Sequence, residues 1–280
     1  MTAPSLPAVN SPVEAWLPRR AAAEAVGTGA LVIVVVGSGI QATRLTGDVA
    51  LLLLANSTAT VLGLAVLIAV LGPISGAHLN PAVTLVASWS DRAAGRSSRL
   101  REPTTYIGAQ VIGAAGGAVL ANVMFGLPPV RLSTHARDGG SLWLAEVVAT
   151  AGLVLVIFGL ARTGREKWVP WAVAAYIGAA YWFTSSTSFA NPAVTIGRAL
   201  SDTFAGIAPA SVPGFIAAQL VGALVGAVLL LALFGRRLPR ASDVVLPHPS
   251  PGSPGPDDAS DSSDSDTVVP WSPPERTPAP

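Results

Sequence analysis

The pentapeptide Asn-Pro-Ala-Val-Thr occurs twice in this chain, beginning at Asn80 and at Asn191. Proline keeps the residue before it extended and fits the first turn of a helix, so each motif predicts a helix that begins directly after an asparagine cap. The side-chain oxygen of such a cap accepts backbone N–H groups, which leaves the carboxamide nitrogen to donate to another molecule. The predicted chemistry is therefore hydrogen-bond donation to a polar solute.

Two carboxylates, Glu24 and Glu146, stand inside apolar stretches. An ionisable residue within a membrane span invites a functional interpretation such as proton coupling. The two glutamates occupy equivalent places in similar sequences, one turn before Thr28 and Thr150, and this symmetry favours a structural role. We expect each to bind backbone groups of a loop that carries one of the two motifs.

The composition indicates a membrane protein. Of the 280 residues, 51% are hydrophobic and only 12% are charged, and the mean hydropathy of +0.55 is too high for a soluble domain of this size. A net charge of +1 provides no basic face for nucleic acid, and the absence of cysteine excludes disulfides and thiolate sites. Three histidines and no nucleophile with its base predict neither a metal, a cofactor nor an enzyme.

Six apolar runs approach the roughly 20 residues needed to cross a bilayer. They lie at about 21–40, 52–73, 104–126, 142–162, 168–187 and 213–235. Two shorter runs follow Asn80 and Asn191 and predict re-entrant half-helices. The fold class expected is an all-α membrane protein with six transmembrane helices plus two re-entrant half-helices. Residues 1–18 and the acidic, Pro/Ser-rich residues 239–280 are predicted to be disordered tails.

The basic residues predict the orientation in the membrane. The termini and the second and fourth connections carry Arg19, Arg20, Arg92, Arg96, Arg99, Arg101, Arg162, Arg165, Lys167, Arg236, Arg237 and Arg240. The other side carries Arg44, Arg131, Arg137 and Arg198. Because basic residues concentrate in cytoplasmic segments, both termini are predicted to be cytoplasmic in an inner (plasma) membrane protein. Each half then has three spans, and the second half is inserted in the opposite orientation to the first.

Internal similarity supports this inverted repeat. The sequence around Glu24 matches the sequence around Glu146 at an offset of 122, and residues 109–120 agree with residues 218–229 at 8 of 12 positions. The predicted membrane domain covers residues 19–238, with repeats at about 19–127 and 141–238. In such a repeat the two short helices meet by their positive N-termini at the midplane, which repels cations. The midplane residues are Asn80, Pro81, Ala82, Asn191, Pro192 and Ala193.

The paired motifs within an inverted six-helix repeat resemble the aquaporin and aquaglyceroporin channels. The resemblance covers about residues 19–238 and implies a homotetramer in membrane lipid, with one pore per subunit that conducts water or small neutral solutes passively. Residues 75–84 resemble the family's first re-entrant loop. The resemblance implies pore-lining carbonyls at Gly76, Ala77 and His78 on one side and at Ser186, Thr187, Ser188 and Phe189 on the other.

The expected selectivity filter departs from the family pattern. Val194 stands where the family has an arginine, and the family's spacing places Thr60 and Ala179 at the other filter positions, with Val61 and Ala180 as alternatives one residue away. Ser188 belongs to the same filter, which we expect to be wide and weakly polar. Arg198, one turn after Val194, either reaches the filter or snorkels to headgroups and pairs with Asp202.

Several alternatives remain open from sequence alone. A secondary transporter also uses inverted repeats and broken helices, although the region near Asn80 and Asn191 has no carboxylate to bind an ion. His78 is either a pH gate or a residue that braces its loop. Tyr181, Trp182 and Phe183 are either an aromatic pore wall or interfacial residues. For the solute, we rank a broad neutral-solute pore first, metalloid hydroxides such as arsenous acid second and strict water selectivity last.

Overall fold

The computed structural model describes residues 17–93 and 100–235, which form eight α-helices with short connections. The helices are α1 (Leu17–Leu45), α2 (Val49–Ser75), α3 (Pro81–Ala93), α4 (Arg101–Met124), α5 (Gly140–Arg162), α6 (Val169–Phe183), α7 (Pro192–Arg198) and α8 (Val212–Phe234). Almost all of both predicted tails, with Arg96, Arg99, Arg236, Arg237 and Arg240, lies outside the described residues. Within the described ranges, the predicted all-α fold is confirmed.

Five of the six predicted spans are helices long and apolar enough to cross a membrane in the described part of the chain: α1, α2, α4, α5 and α8. The span predicted at 168–187 is shorter. It consists of the 15-residue helix α6, preceded by a 3-10 turn at Glu166–Trp168. It ends because Thr184 is extended, with φ −108° and ψ 138°, and this turns the chain into the loop that leads to Asn191.

The helices pack as two similar groups of three. In the first group, α1 packs against α2 and α4; in the second, α5 packs against α6 and α8. The backbones approach closely at paired glycines. A Cβ atom added at Gly113 would collide with the Ala25 carbonyl oxygen, and one added at Gly222 would lie 2.6 Å from the Val147 carbonyl oxygen. Small residues at these contacts let neighbouring helices pack closely, which stabilises helix pairs in a bilayer, where the hydrophobic effect does not drive their association.

Large apolar side chains cover the outer faces of the long helices. Leu62 on α2 is 64% exposed, and Leu224 and Leu233 on α8 are 65% and 66% exposed. A soluble monomer rarely presents such a continuous apolar surface. These faces are suited to contact with lipid or with a second copy of the chain. The short helices α3 and α7 lie inside the molecule, where α3 packs against α4 and α8, and α7 packs against α4, α1 and α8.

Candidate functional site

The two asparagines of the repeated motif meet at the centre of the molecule. The Oδ1 atom of Asn80 accepts from the Ala82 backbone N–H at 2.9 Å, and that of Asn191 accepts from Ala193 at 3.0 Å. Each Nδ2 donates across the junction, from Asn80 to the Ala190 carbonyl and from Asn191 to the Leu79 carbonyl, both at 2.7 Å. A carboxamide nitrogen carries two hydrogens, so one N–H of each asparagine remains for a solute.

The loops that precede the asparagines have the same backbone conformation. Residues with positive φ occur at matching places: Gly76, Ala77 and Leu79 in the first loop, and Thr187, Ser188 and Ala190 in the second, with φ between 43° and 85°. Five of these six are not glycine, and left-handed conformations cost free energy for residues with a Cβ. Surrounding contacts must therefore hold both loops in place.

Glu24 supplies those contacts in the first half. Its Oε1 accepts from Ser75 Oγ at 2.6 Å and from the His78 backbone N–H at 2.9 Å. Its Oε2 accepts from the Leu79 backbone N–H at 2.6 Å and from Gln110 Nε2 at 2.7 Å. The side chain is fully buried. A buried carboxylate is stable only when donors of this kind replace its water.

Glu146 makes the equivalent set of contacts in the second half. Its Oε1 accepts from Ser186 Oγ at 2.6 Å and from the Phe189 backbone N–H at 2.9 Å. Its Oε2 accepts from the Ala190 backbone N–H at 2.8 Å and from Gln219 Nε2 at 2.7 Å. Both glutamates thus bind backbone groups of the motif loops, where the sequence analysis placed them.

The two loops differ in the side chain two residues before the asparagine. His78 Nδ1 lies 3.2 Å from Thr84 Oγ1, which donates to the Asn80 carbonyl and accepts from Gln110. The single hydroxyl hydrogen of Thr84 is used in the bond to the Asn80 carbonyl, so Thr84 Oγ1 can only accept from His78. In this network Nδ1 of His78 therefore donates, and the neutral ring has its acceptor at Nε2. Its ring packs edge-on against Tyr106, with centroids 5.4 Å apart.

Phe189 holds the corresponding position in the second loop. Its ring packs edge-on against Phe215, with centroids 5.1 Å apart, as His78 packs on Tyr106. The guanidinium carbon of Arg198 lies 3.3 Å from the Phe189 ring centroid. The second loop therefore has an apolar ring that is stacked against the Arg198 cation of α7, where the first loop has an imidazole.

A cavity runs past both asparagines. Most of its wall is apolar, formed by Leu31, Val35, Leu64, Ile68, Val83, Leu153, Ile157, Val169, Val173, Ile177 and Val194. The first loop contributes Gly76, Ala77, His78, Leu79 and Asn80, and the second contributes Ser188, Phe189, Ala190 and Asn191. Thr60, Tyr181 and Arg198 complete the lining. We refer to its two ends as the His78 end and the Arg198 end.

The predicted carbonyl positions of the second loop need correction. Ser186 and Thr187 are not among the residues that line the cavity. Ser186 instead turns its hydroxyl to Glu146, as its counterpart Ser75 turns to Glu24. The loop residues that reach the cavity begin at Ser188, two residues after the first predicted position, and the predicted positions Ser188 and Phe189 are among them.

Ala179 is also placed wrongly by the sequence analysis. It lies on the exposed side of α6, whereas Tyr181 is 3% exposed and lines the cavity. Tyr181 OH lies 3.2 Å from Thr60 Oγ1, so the two hydroxyls form a polar pair on the wall. The alternative Ala180 is buried outside the lining, and the alternative Val61 also lies outside it. A shift of two residues turns a helix by about 200°, which reverses the face.

Arg198 lies inside the molecule. It is 2% exposed, lines the cavity and donates from Nε to the Ala205 carbonyl oxygen. Asp202 pairs with Arg131 instead, with an Arg131 Nε to Asp202 Oδ2 distance of 3.3 Å. The alternative of an arginine that snorkels to headgroups is therefore wrong. Trp182 and Phe183, 51% and 55% exposed, face outward as interfacial residues do.

Several residues of the site escaped the sequence analysis. Gln110 and Gln219 bind the two glutamates and also Thr84 and Thr195, at 3.0 Å and 2.9 Å. Both glutamines lie within the repeated stretches 109–120 and 218–229, and that repetition was the available signal. Within residues 17–93 and 100–235, the structure contains no group of three or more His, Cys, Asp or Glu that could hold a metal ion.

Comparison with known proteins gives consistent results. The sequence profile of the major intrinsic protein family matches residues 13–183. Aquaglyceroporin AqpS of Rhizobium meliloti is 53% identical over 214 residues, which cover 76% of this chain and 89% of that protein. The probable aquaporin AqpM of Archaeoglobus fulgidus is 34% identical, over 62% of this chain and 72% of that protein. The aquaglyceroporin structure from Plasmodium falciparum superposes with a TM-score of 0.56 at 22% identity, covering 78% and 96% of the two chains.

Proposed function

The chain belongs to the major intrinsic protein family, and we propose that it is a passive transmembrane channel for water, glycerol and other small uncharged solutes. The similarity to aquaglyceroporin AqpS supports this function, and the likeness to the Plasmodium structure supports the fold. The channel domain spans about residues 19–238, with repeats at about 19–127 and 141–238.

The observation that carries the proposal is the junction of Asn80 and Asn191 in the wall of the cavity. Each carboxamide has one N–H bound to a carbonyl of the opposite loop, and the second N–H remains for a solute oxygen. A water that accepts from both asparagines is turned so that it cannot pass a proton along a file of waters. Pro81 and Ala82, with Pro192 and Ala193, form the helix openings at this point.

The channel excludes cations at two places. The N-termini of α3 and α7 contribute positive partial charge at the junction. Arg198 adds a full positive charge at its own end of the cavity, where its Nε is the atom bound to a carbonyl. Both positive charges raise the free energy of a cation in the cavity, because the low-dielectric wall screens the repulsion only weakly.

The selectivity filter consists of Thr60, Tyr181, Ser188, Val194 and Arg198. Val194 in place of the usual arginine keeps one wall short and apolar, while Arg198 and the Thr60–Tyr181 pair supply hydrogen-bonding groups. The Oγ of Ser188 is buried and has no hydrogen-bond partner in the described part of the chain, so it is available to bind a solute. Such a filter admits glycerol, and next metalloid hydroxides such as arsenous acid; strict water selectivity ranks last.

The runner-up function, a secondary transporter, requires an ion site. Glu24 and Glu146 are the carboxylates that contact the two motif loops, and each already accepts four hydrogen bonds. A carboxylate whose acceptors are occupied in this way braces the fold and does not cycle protons with transport. This favours a channel that works without an ion gradient and without catalysis.

The channel works as a homotetramer in the plasma membrane, with both termini in the cytoplasm. The exposed apolar faces of α2 and α8 supply surface for contacts between subunits and with lipid. The basic residues at the ends of α1 and α5, such as Arg19, Arg20 and Arg162, favour the cytoplasmic placement of those ends. Crosslinking in native membranes and protease protection of a tagged terminus test these two statements.

Purified protein in lipid vesicles tests the function. Water and glycerol flux, measured by light scattering after an osmotic step, should exceed that of empty vesicles and stay the same when proton and sodium gradients are collapsed. Flux that disappears with either gradient contradicts the channel and favours the transporter.

A further inference from the structure

Two arginines, not one, stand at the Phe189 ring. The guanidinium carbon of Arg198 lies 3.3 Å from the ring centroid, and that of Arg137 lies 5.2 Å from the same centroid. Arg198 belongs to the half-helix α7, whereas Arg137 belongs to the connection between α4 and α5. Two distant parts of the sequence therefore bring positive charges to the same aromatic side chain.

One short turn holds both side chains. Arg198 donates from Nε to the Ala205 carbonyl oxygen. Arg137 donates from Nε to the Gly206 carbonyl at 2.8 Å and from Nη2 to the Phe204 carbonyl at 3.4 Å. Three consecutive carbonyls thus fix the two guanidinium groups, so the positive charges are kept in place without a mobile partner.

Within the described ranges, neither guanidinium forms a salt bridge with Asp or Glu. Glu146 is the carboxylate that acts electrostatically on both arginines, and its oxygens already accept four hydrogen bonds from other groups. The carbonyls that bind the two arginines carry only partial charge. Like charges held together in a partly buried place attract an anion strongly, because little water is present to screen them. The remaining guanidinium N–H groups have the planar arrangement that binds two oxygens of one oxyanion.

A third polar group belongs to Ser188, the residue directly before Phe189. Among the residues that the structure describes, the buried Oγ atom of Ser188 has no hydrogen-bond partner, and Ser188 belongs to the wall of the same cavity as Arg198. A hydroxyl in this state is a donor that a bound anion would satisfy. Two positive charges and an available hydroxyl donor therefore belong to residues that adjoin Phe189.

We propose that Arg198 and Ser188 in the cavity wall, together with Arg137 at the same Phe189 ring, form a binding site for a small monovalent oxyanion, of the nitrate or carboxylate class, at the Arg198 end of the cavity. A bound anion occupies the entrance and blocks the passage of neutral solutes. This consequence rests on the proposed function, since it assumes that solutes pass through the cavity. The binding itself does not depend on conduction.

Arg131 provides a matched control from the same connection. Its charge is already neutralised by Asp202, 3.3 Å away, and its side chain is 67% exposed. The backbone N–H and hydroxyl of Thr134 hold the pKa of Asp202 below its usual value, and Arg131 adds to this effect, so the carboxylate stays charged near neutral pH. Arg131→Gln therefore removes the same formal charge as Arg137→Gln without changing the proposed site.

The experiment uses nitrate, which has no neutral form near pH 7. Purified protein is titrated with sodium nitrate by calorimetry, and glycerol flux is measured in vesicles that contain nitrate or equimolar chloride on both sides. Flux in nitrate should fall by about half when the nitrate concentration equals the dissociation constant, because the site is then half occupied. Arg131→Gln should keep this response, and Arg137→Gln should lose it.

Arg137→Lys keeps the charge without the planar fork and should bind nitrate more weakly than the wild type. It also preserves the test if the Gln variant does not fold. The absence of a heat of binding in the wild type overturns the site, as does equal nitrate sensitivity in wild type and Arg137→Gln. Vesicles with no solute flux in chloride would instead contradict the channel function and leave the calorimetric result to decide the site.

Discussion

The loops that carry Asn80 and Asn191 share one backbone design but present different side chains to the cavity. Each loop is held by a buried glutamate with four donors, and each has positive φ at the same three places. At the position two residues before the asparagine, however, the first loop has His78 and the second has Phe189. At the separation of 111 residues that relates the asparagines, Arg198 corresponds to Ala87.

This difference distinguishes the residues that hold the loops in place from the residues that a solute contacts. The parts that hold the asparagines are the same in both halves, because the junction needs two equivalent helix N-termini. The parts that a solute meets on either side of the junction are different. The His78 end offers an imidazole acceptor, and the Arg198 end offers a cation stacked on Phe189. We therefore propose that the side chains at the two ends, and not the shared frame, set the solute preference.

The largest expected effect comes from the shared support. Glu24→Gln and Glu146→Gln each replace an acceptor oxygen by an amide that faces other donors, and each should destabilise the protein by about 3 kcal/mol or more. Thermal unfolding in detergent measures the loss. Similar losses in both variants fit the symmetric frame, and a variant as stable as the wild type would show that its loop is held by other contacts.

The next effect concerns conduction at the junction. Asn80→Ala and Asn191→Ala each remove a donor to the solute and a helix cap, and glycerol flux should fall roughly tenfold in either variant. Asn56→Ala is the control, since Asn56 is a buried asparagine that binds the Val35 carbonyl and is not part of the cavity lining. Normal flux in both junction variants, at equal amounts of inserted protein, would contradict the role of the junction.

A change at the Arg198 end tests selectivity alone. Val194→Arg should narrow the cavity and slow glycerol several-fold more than water, whereas Arg198→Ala should raise glycerol flux because it removes a bulky side chain from the wall. Paired water and glycerol permeabilities in vesicles give the ratio. An unchanged ratio in both variants would mean that selectivity is set elsewhere.

The smallest effect tests the difference between the loops themselves. His78→Phe gives the first loop the residue of the second and should lower glycerol flux by less than about threefold, since one acceptor is lost from the wall. Phe189→His removes the apolar ring beneath Arg198 and weakens that contact by about 0.5–1 kcal/mol. The two variants should differ in their glycerol-to-water ratio. If they behave alike, the side chains at this position do not distinguish the two ends.

The sequence predicted the elements that depend on local rules. The asparagine caps follow from Asn-Pro-Ala, and the role of Glu24 and Glu146 follows from their repetition. The prediction of Ala179 as a filter residue was wrong because the family spacing was counted through a segment that the structure divides into a short helix and a loop. The resulting error of two residues placed the prediction on the opposite face of the helix from Tyr181. Arg198 was ambiguous because its direction depends on Phe189 and the Ala205 carbonyl, which only the folded chain brings together.

Cysteine accessibility tests the central claim, that solutes pass between the two asparagines along this cavity. The natural sequence contains no cysteine, so single variants can be labelled without background reaction. Val194→Cys places a thiol on the cavity wall, and Ala179→Cys places one on the outer face of α6. A small methanethiosulfonate reagent should block glycerol flux in Val194→Cys and leave it unchanged in Ala179→Cys. Block in Ala179→Cys with unaffected flux in labelled Val194→Cys would contradict the pathway.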